Sequence, residues 1–185
     1  VLVEAKHIGH GASGRNGGWL MGALEGCDAF VDDSGTLPAT ARQQLTQLAA
    51  RAGEVLAGES IDCDFHHGGC IMAAARQDLQ VARAQKMLVS FKGLGFGEED
   101  YRWLTPNELS NRIQVANPGG AVFTPHVARI QPAKLVTGLA GVVKSLGVRV
   151  FEHTRAHGIH SGIVHCDRGT IRCEQIVIAT EGYSE

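Results

Sequence analysis

Apolar residues recur at spacings of three and four along two stretches of the chain, which is the period of one face of an α-helix. These stretches cover residues 40–57 and 132–146. Residues 78–92 also predict a helix, with Asp78 as its N-cap. The sequence Thr105-Pro106-Asn107-Glu108 has the form of a capping box with proline at the first helical position. A short helix is therefore predicted to follow Thr105.

Runs of β-branched and aliphatic residues predict strands between these helices. Two further short strands are predicted around a hairpin turn at Asp167-Arg168-Gly169-Thr170. The other predicted strands are residues 1–4, 65–75, 121–130, 148–151 and 176–180. The first and last of these contain almost no polar residue, which is typical of strands buried on both faces of a parallel sheet. The alternation of helices and strands predicts a mixed α/β fold.

The composition narrows the class of protein. Of the 185 residues, 44% are hydrophobic and 19% are charged, and the formal net charge is −2. This favours a globular protein and argues against disorder and against nucleic-acid binding. The chain has no apolar run of about 20 residues and no basic leader, so neither membrane association nor export is expected and a cytoplasmic location is predicted. Five cysteines without a CxxC pair predict reduced, partly buried thiols.

The segment Gly9-His10-Gly11-Ala12-Ser13-Gly14 matches the G-x-G-x-x-G fingerprint of dinucleotide-binding folds, and the acids Asp32 and Asp33 follow about twenty residues later. In that fold the third glycine opens a helix whose N-terminus faces the pyrophosphate. Here Gly17 and Gly18 follow at once, and each costs about 1 kcal/mol in a helix relative to alanine. We therefore predict no long helix starting at Gly14, and an NAD-dependent dehydrogenase is kept only as an alternative.

Glu4 supports a different assignment of the first strand. If residues 1–4 form the second strand of a dinucleotide-binding fold, Glu4 lies at its carboxyl end, where an acid hydrogen-bonds the ribose hydroxyls. The fingerprint would then lie upstream of Val1. The alternative is that Glu4 simply closes a strand into solvent.

Several segments together resemble the FAD-dependent oxidoreductases of the D-amino-acid oxidase superfamily, in the subgroup of amine oxidases that includes γ-glutamylputrescine oxidase. Residues 1–5 and the loop Gly11–Gly18 resemble the family's second strand and the loop after it. Residues 131–140 resemble the helix that returns the chain to the FAD domain, and residues 151–159 resemble the strand beside the adenine. Residues 176–183 resemble the closing strand, with Glu181 where the family has asparagine.

The resemblance implies a partial FAD/NAD(P)-binding Rossmann-like domain over residues 1–60 and 128–185, interrupted by a partial substrate-binding domain over residues 61–127. It also implies an internal fragment of a longer enzyme, which is expected to oxidise the C–N bond of a small-molecule amine or amino acid by hydride transfer to FAD. The fragment itself is expected to be inactive and to bind FAD weakly or not at all. A catalytically silent binding or structural module is the alternative from another class.

The resemblance also implies which residues contact FAD. Consecutive small residues let backbone N–H groups approach a pyrophosphate or a ring edge, and Arg15 offers donors to an anionic oxygen. No catalytic base is predicted, and the oligomeric state is left open. The predicted cofactor-binding residues are Glu4, Ser13, Gly14, Arg15, Asn16, Gly17, Gly18, Ala156, Thr180 and Gly182.

The nine histidines and Trp19 indicate function less clearly than the glycine-rich loop does. Adjacent residues on a strand point to opposite faces, so His66 and His67 are not expected to bind one metal ion, and no metal site is predicted. Substrate contact by one of these two histidines is kept as a lesser alternative to a solvated side chain. Trp19, which directly follows the glycine loop, is expected either to pack on the flavin or to be buried between two lobes.

Overall fold

The computed structural model describes residues 1–22, 30–75 and 78–183. Within these ranges the chain forms four α-helices and eleven short strands. The helices are α1 (Ala39–Gly58), α2 (Asp78–Gly93), α3 (Pro106–Ser110) and α4 (Pro132–Ser145). The strands are β1 (Leu2–Val3), β2 (Trp19–Met21), β3 (His66–His67), β4 (Cys70–Ala74), β5 (Arg102–Leu104), β6 (Gly120–Thr124), β7 (Val127–Arg129), β8 (Val150–Phe151), β9 (Ala156–His160), β10 (Ile163–Cys166) and β11 (Gly169–Arg172). The predicted mixed α/β fold is confirmed.

The helices lie where the apolar periodicity predicts them. Helix α1 extends the predicted segment 40–57 by one residue at each end, and α4 ends one residue before its predicted end. Asp78 is the first residue of α2 rather than a cap outside it, so its carboxylate lies in the first helical turn. An acid at that position is favourable beside the positive end of the helix dipole. None of the described helices is both long and apolar enough to span a bilayer.

The capping box before α3 is present in full. The Thr105 hydroxyl accepts a hydrogen bond from the Glu108 backbone N–H at 3.3 Å, and Glu108 Oε2 accepts one from the Thr105 backbone N–H at 2.8 Å. These bonds satisfy two backbone N–H groups at the start of the helix. The hydrogen bond from the Thr105 backbone, followed by that from its hydroxyl, lowers the pKa of Glu108 below its ordinary value of 4.5.

We expect the stabilisation from Glu108 to depend on pH. Because its pKa is lower in the folded chain than in the unfolded chain, the contribution is complete above about pH 4.5 and is lost as the pH falls through the folded-state pKa. Urea unfolding followed by circular dichroism should therefore separate Glu108→Gln from the wild type at pH 7 more than at pH 3. The exposed Glu54→Gln variant is the control, and a pH-independent difference for Glu108→Gln would contradict the prediction.

The chain divides into two compact units. The first contains Val1–Arg15 and the residues from Pro132 onward, and the second is Asn16–Gln131. The second unit thus includes residues 16–60, which the sequence analysis grouped with the FAD-binding domain. The assignment of a cofactor role to one part of the chain and a substrate role to the other stays a prediction.

The first unit contains two small sheets. In one, β1 pairs in parallel with β8, with Leu2 opposite Val150. In the other, β9, β10 and β11 form an antiparallel meander, and Cys166 pairs with Gly169. Asp167 and Arg168 alone connect β10 to β11, which confirms the predicted hairpin.

The prediction of a closing strand at residues 176–180 is wrong. These residues form no strand, and the exposed fractions of Val177 and Ile178 are 88% and 60%. Residues 1–4 are not buried on both faces either, because Leu2 is 40% exposed. Strand formation needs a hydrogen-bonded neighbour, and among the described residues β1 pairs only with β8. The apolar side chains of these two segments are therefore not buried by the described residues.

The second unit contains two antiparallel sheets, in the strand orders β2-β7-β3 and β4-β6-β5. The predicted strands 65–75 and 121–130 are each divided in two. Gly69 separates β3 from β4 with a φ of +81°, and its N–H donates to Val127 O at 2.9 Å. Thr124 ends β6, where its hydroxyl accepts a hydrogen bond from the His126 backbone N–H at 3.3 Å. The two turns send β3 and β7 into one sheet and β4 and β6 into the other.

Two apolar clusters pack against the sheet β4-β6-β5. One is buried against α2 and includes a stacked pair of rings, Phe91 and Tyr101, with centroids 3.9 Å apart. The other lies between α3 and β6 and contains the fully buried residues Leu104, Leu109 and Ala121. Beside the first cluster, His126 Nε2 lies 2.8 Å from Asp100 Oδ1, and Asp100 Oδ2 accepts from the Gly97 N–H at 3.0 Å. This pair ties the turn before Tyr101 to the segment between β6 and β7.

Candidate functional site

The glycine-rich segment does not open a helix. Ala12–Gly14 form a single 3₁₀ turn, and β2 begins at Trp19. The prediction that no long helix starts at Gly14 is confirmed. Since the dinucleotide fingerprint requires that helix, Gly9–Gly14 does not form the pyrophosphate-binding turn of an NAD-dependent dehydrogenase.

Asp32 does not act as the ribose-binding acid of such a fingerprint. Its Oδ1 accepts hydrogen bonds from the Ser34 hydroxyl and from the backbone N–H groups of Ser34 and Thr36, at 2.9 and 3.2 Å for the latter two. The Ser34 hydroxyl, followed by the Thr36 backbone, lowers the pKa of this carboxyl. Asp32 therefore closes an exposed turn and lies at no strand end.

The segment Gly9–Gly14 folds back on itself in the first unit. Gly9 has a φ of +77°, and a Cβ at Gly14 would overlap the carbonyl group of Gly9. A Cβ at Gly9 would lie 3.9 Å from the Gly14 Cα and 4.0 Å from Val136 Cγ1 on α4, and the ring of Tyr183 lies 3.4 Å from the position of a Cβ at Gly11. Glycine is required at Gly14 because only a residue without a side chain permits this approach of two backbone segments.

The structure brings Glu4 next to the strand that contains Ala156. Glu4 Oε1 accepts the Lys6 backbone N–H at 2.8 Å, and Glu4 O accepts the Thr154 N–H at 2.9 Å. Ala156 begins β9 two residues after Thr154. One carboxylate oxygen of Glu4 therefore accepts a hydrogen bond within its own turn, and the bond from the Thr154 N–H holds Glu4 close to the start of β9.

Glu152 is a residue of this region that the sequence analysis missed. Its Oε1 accepts the Ile8 backbone N–H at 2.7 Å, across 144 positions of sequence. The bond fixes the chain where the glycine-rich segment begins. No local motif marks Glu152, because the contact depends on the pairing of β1 with β8.

Thr180 and Gly182 lie in the turn that carries Tyr183. The Tyr183 N–H donates to Thr180 O at 2.9 Å, and the Tyr183 ring covers Gly11. The structure thus places Tyr183 of this turn beside the glycine-rich segment, and contact of Thr180 and Gly182 with FAD stays a prediction. Ser13 and Arg15 are exposed on the same segment, and Arg15 makes no ion pair with any described residue.

Asn16, Gly17 and Gly18 belong to the second unit and form the turn into β2. Asn16 Oδ1 accepts the Gly18 N–H at 2.8 Å, Gly18 has a φ of +72°, and Gly18 O accepts the Ile130 N–H at 2.8 Å. Asn16 therefore fixes the backbone of the turn. Contact of these three residues with FAD stays a prediction.

A row of three side chains crosses the sheet β2-β7-β3. Trp19 pairs with Arg129 in register, and Arg129 pairs with His66, so the three share one face of the sheet. All three are exposed, with Trp19 at 65%. They border a cavity of about 340 Å³ whose apolar wall includes Cys70, Ile71 and Val127. We call this open depression in the sheet surface the sheet cavity.

The described cysteines and histidines form no metal-binding group of three or more, and three of the thiols are disfavoured as thiolates. The four described cysteines are free thiols, and Cys27 lies outside the described residues. Burial raises the pKa of the Cys63, Cys70 and Cys166 thiols, which disfavours the nucleophilic thiolate. Among residues 1–22, 30–75 and 78–183, no group of three or more His, Cys, Asp or Glu side chains is arranged to hold a metal ion.

The segments around Gly9–Gly14 fit a flavin nucleotide in chemistry. Glu4 provides an acceptor at a strand end, the glycines in between carry no side chain and are partly exposed, and exposed Ser13 and Arg15 supply donors for anionic oxygens. A comparison with protein families identifies the family. The model of the FAD dependent oxidoreductase family matches residues 1–185, and the chain belongs to this family. The predictions of the family, the Rossmann-like fold class and FAD as the family's cofactor are confirmed.

Two curated proteins and one solved structure are similar to this chain over almost its whole length. The chain is 26% identical over 190 residues to gamma-glutamylputrescine oxidoreductase of Escherichia coli (strain K12), covering 99% of this chain and 43% of that protein. It is 24% identical to glycine oxidase of Geobacillus kaustophilus (strain HTA426), covering 100% of this chain and 48% of the relative. A crystal structure of glycine oxidase from Geobacillus kaustophilus superposes with a TM-score of 0.72 at 26% identity, over 96% of this chain and 47% of that one. The chain thus spans about half the length of the curated relatives it matches.

Proposed function

We propose that this chain is the part of an FAD-dependent amine or amino-acid oxidoreductase that carries the ribose, ribityl and ring-edge contacts of the cofactor. The observation that carries the proposal is the closed Gly9–Gly14 segment, packed beside Tyr183 and anchored through Glu152. A glycine-rich segment after a strand is suited to a ligand that approaches the main chain closely, because glycine has no side chain to block the approach. The match of the family over residues 1–185 supports the same assignment.

Each proposed residue has a distinct task. Glu4 has one carboxylate oxygen bound by the Lys6 N–H, so its other oxygen serves as the acceptor for ribose hydroxyls. Arg15 and Ser13 hold anionic and polar groups of the cofactor, and the main chain at Ala156 contacts the adenine. Thr180 and Gly182 contact the flavin from the turn beside Gly11. In the second unit, Asn16 fixes the turn by accepting the Gly18 N–H, and the main chain of the exposed Gly17 contacts the cofactor.

If bound, FAD would supply the two-electron oxidant for the carbon next to the substrate nitrogen, and Glu4, Ser13 and Arg15 would hold it. The protein contributes binding and orientation. Gamma-glutamylputrescine oxidoreductase and glycine oxidase are named for an amine and an amino acid as substrates. Both relatives support an amine or amino acid as the substrate class here.

The length of the relatives bears on cofactor affinity. Since this chain covers 43% to 48% of two curated relatives, we propose that other contacts to the pyrophosphate are made by residues outside the 185. Ordinary hydrogen bonds contribute about 0.5–1.5 kcal/mol each, which is too little to offset the ordering of a large flexible ligand by the contacts named above. The 185-residue chain is therefore expected to be colourless on purification and to bind FAD weakly.

The test is a titration of FAD followed by flavin fluorescence. We expect binding at least 100-fold weaker by the 185-residue chain than by a protein extended upstream in its gene. In the extended protein, Arg15→Gln should weaken FAD binding by about tenfold or more, the effect of losing a charged hydrogen bond. The matched control is Arg168→Gln, which changes an exposed arginine in the β10–β11 turn.

Three outcomes would overturn the proposal. These are tight binding by the 185-residue chain alone, no binding by the extended protein, or equal effects of Arg15→Gln and Arg168→Gln. Amine oxidation is then measured as the loss of flavin absorbance without oxygen when amines and amino acids are added to the extended protein. A catalytically silent module would bind no FAD and show no such loss.

A further inference from the structure

A β-turn at the start of the glycine-rich segment carries a histidine at each end. The His10 N–H donates to His7 O at 3.0 Å, with Ile8 and Gly9 between them. Gly9 has a φ of +77°, the conformation that favours glycine at the third position of such a turn. A β-turn brings the Cα atoms of its first and fourth residues within about 7 Å of each other. The sequence of the turn therefore makes His7 and His10 neighbours.

The two imidazoles have the separation that a shared metal ion requires. His10 Nδ1 lies 3.2 Å from His7 Nε2, and the ring centroids are 4.9 Å apart. A bond from zinc to an imidazole nitrogen is about 2.0–2.1 Å long, so two nitrogens bound to one ion at a right or tetrahedral angle lie about 2.9–3.4 Å apart. The observed distance between the two nitrogens falls inside this range.

A hydrogen bond to the main chain sets the tautomer of His7. Its Nδ1 lies 3.0 Å from the carbonyl oxygen of Ile8, which only accepts, so Nδ1 carries the proton and Nε2 carries the free lone pair. Histidines that bind metals almost always donate their other N–H in this way. Without metal, the Nδ1–H of His10 donates to His7 Nε2. A metal ion replaces that proton, and His10 then carries its proton on Nε2.

The backbone of the turn is fixed by a contact from outside it. Glu152 Oε1 accepts the Ile8 N–H at 2.7 Å, so the residue after His7 is held from a distant part of the chain. A site that is already ordered loses less conformational freedom when an ion binds. His7 is exposed and His10 is partly exposed, so the two imidazoles are accessible from solvent.

We propose that His7 Nε2 and His10 Nδ1 together bind a divalent transition-metal ion of the kind represented by Zn²⁺ and Ni²⁺. Imidazole suits these ions, whereas Mg²⁺ and Ca²⁺ prefer oxygen ligands. In the part of the chain that the structure describes, no third His, Cys, Asp or Glu side chain completes the set. Water therefore fills the remaining positions. The ion joins the two ends of the turn and stabilises the segment that leads to Gly11.

The test is a calorimetric titration of Zn²⁺ and of Mg²⁺ into the 185-residue chain, prepared without a histidine tag. We expect saturable binding of Zn²⁺ and no measurable binding of Mg²⁺. Loss of a group behind a metal ligand costs about 10–100-fold in affinity, so loss of a ligand itself in His7→Gln or His10→Gln should weaken Zn²⁺ binding by at least tenfold. The double variant should lose little more, because one remaining imidazole cannot chelate.

His160→Gln is the matched control. His160 is exposed on β9, and its ring lies 5.8 Å from that of His165, so the variant removes one histidine from a second pair of neighbouring imidazoles. It should bind Zn²⁺ as the wild type does. Circular dichroism checks that each variant is folded.

A second measurement reports the effect of the ion on the turn. An ion that binds the folded chain and not the unfolded chain stabilises it. Zn²⁺ should therefore raise the midpoint of urea unfolding for the wild type and for His160→Gln, and should raise it less for His7→Gln and His10→Gln.

The inference would be overturned by an absence of saturable Zn²⁺ binding, by equal binding of Mg²⁺, or by an unchanged affinity in either His7→Gln or His10→Gln. An equal loss in His160→Gln would also overturn it, because it would show binding to scattered surface histidines only. The titration requires no flavin, and neither histidine is among the residues assigned to FAD. Its result is therefore independent of the test of the proposed function.

Discussion

Replacing Gly14 with alanine is expected to destabilise the chain by about 2–3 kcal/mol, in the upper part of the usual range for single substitutions. A Cβ at Gly14 would overlap the carbonyl oxygen, the carbonyl carbon and the Cα of Gly9. All three are backbone atoms, so no side-chain rotation relieves the overlap and the segment 9–14 must open. The measurement is the free energy of unfolding in urea, followed by circular dichroism.

The control is the same substitution elsewhere in the first unit. Gly141 is exposed in α4, and a Cβ at this position would meet no atom within 4 Å. Gly141→Ala should therefore stabilise the chain by about 0.5–1 kcal/mol through helix propensity. The two variants are expected to differ in sign. A Gly14→Ala chain as stable as the wild type would show that Gly9 and Gly14 are not in close contact.

The sequence predicts those elements whose determinants lie within a few residues of one another. The apolar faces of α1 and α4, the capping box of Thr105 and Glu108, and the two-residue connection at Asp167-Arg168 are all local signals. Each depends on the period of a helix, on one hydrogen-bonding pair or on a turn. Since the physical cause is present in the local sequence, the prediction needs no knowledge of the tertiary fold.

The features that the sequence did not predict depend on partners far away in the chain. Residues 176–180 have the composition of a strand but form none, because a strand also requires a neighbour to pair with. The contact of Glu152 with Ile8 spans 144 positions. The row of Trp19, Arg129 and His66 appears only when β2, β7 and β3 are placed in register. Strand register is a tertiary property, and a shift of one residue would turn Arg129 to the other face.

The conformation of the glycine-rich segment depends on both local and long-range interactions. The local cost of Gly17 and Gly18 predicts that no helix follows Gly14, and the structure confirms it. The closure of Gly9 onto Gly14 and the packing of Tyr183 over Gly11 are long-range results of the fold. No local pattern predicts the contact between Tyr183 and Gly11, because the two residues are far apart in the sequence.

Leu104→Ala is expected to cost about 2–5 kcal/mol of stability, the range for deleting a buried leucine side chain. Leu104 is fully buried, pairs with Ala121 across β5 and β6, and packs with Leu109. Removing its side chain loses apolar burial and leaves a cavity that the two strands cannot close, because their backbone hydrogen bonds fix their spacing. Urea unfolding should show a lower midpoint with an unchanged slope.

Leu79→Ala is the matched control, because Leu79 lies on α2 in the same unit and is 54% exposed. Its effect should stay within about 0.5 kcal/mol, as for surface substitutions. Ile71 packs against the Leu104 cluster and also lines the sheet cavity. Loss of the Leu104 side chain is therefore expected to destabilise the strands around that cavity as well. In a Trp103→Phe background, Trp19 fluorescence should therefore report unfolding at the same lower midpoint as circular dichroism. An unchanged Trp19 midpoint would show that the sheet β2-β7-β3 is stable without the core beneath β4 and β6.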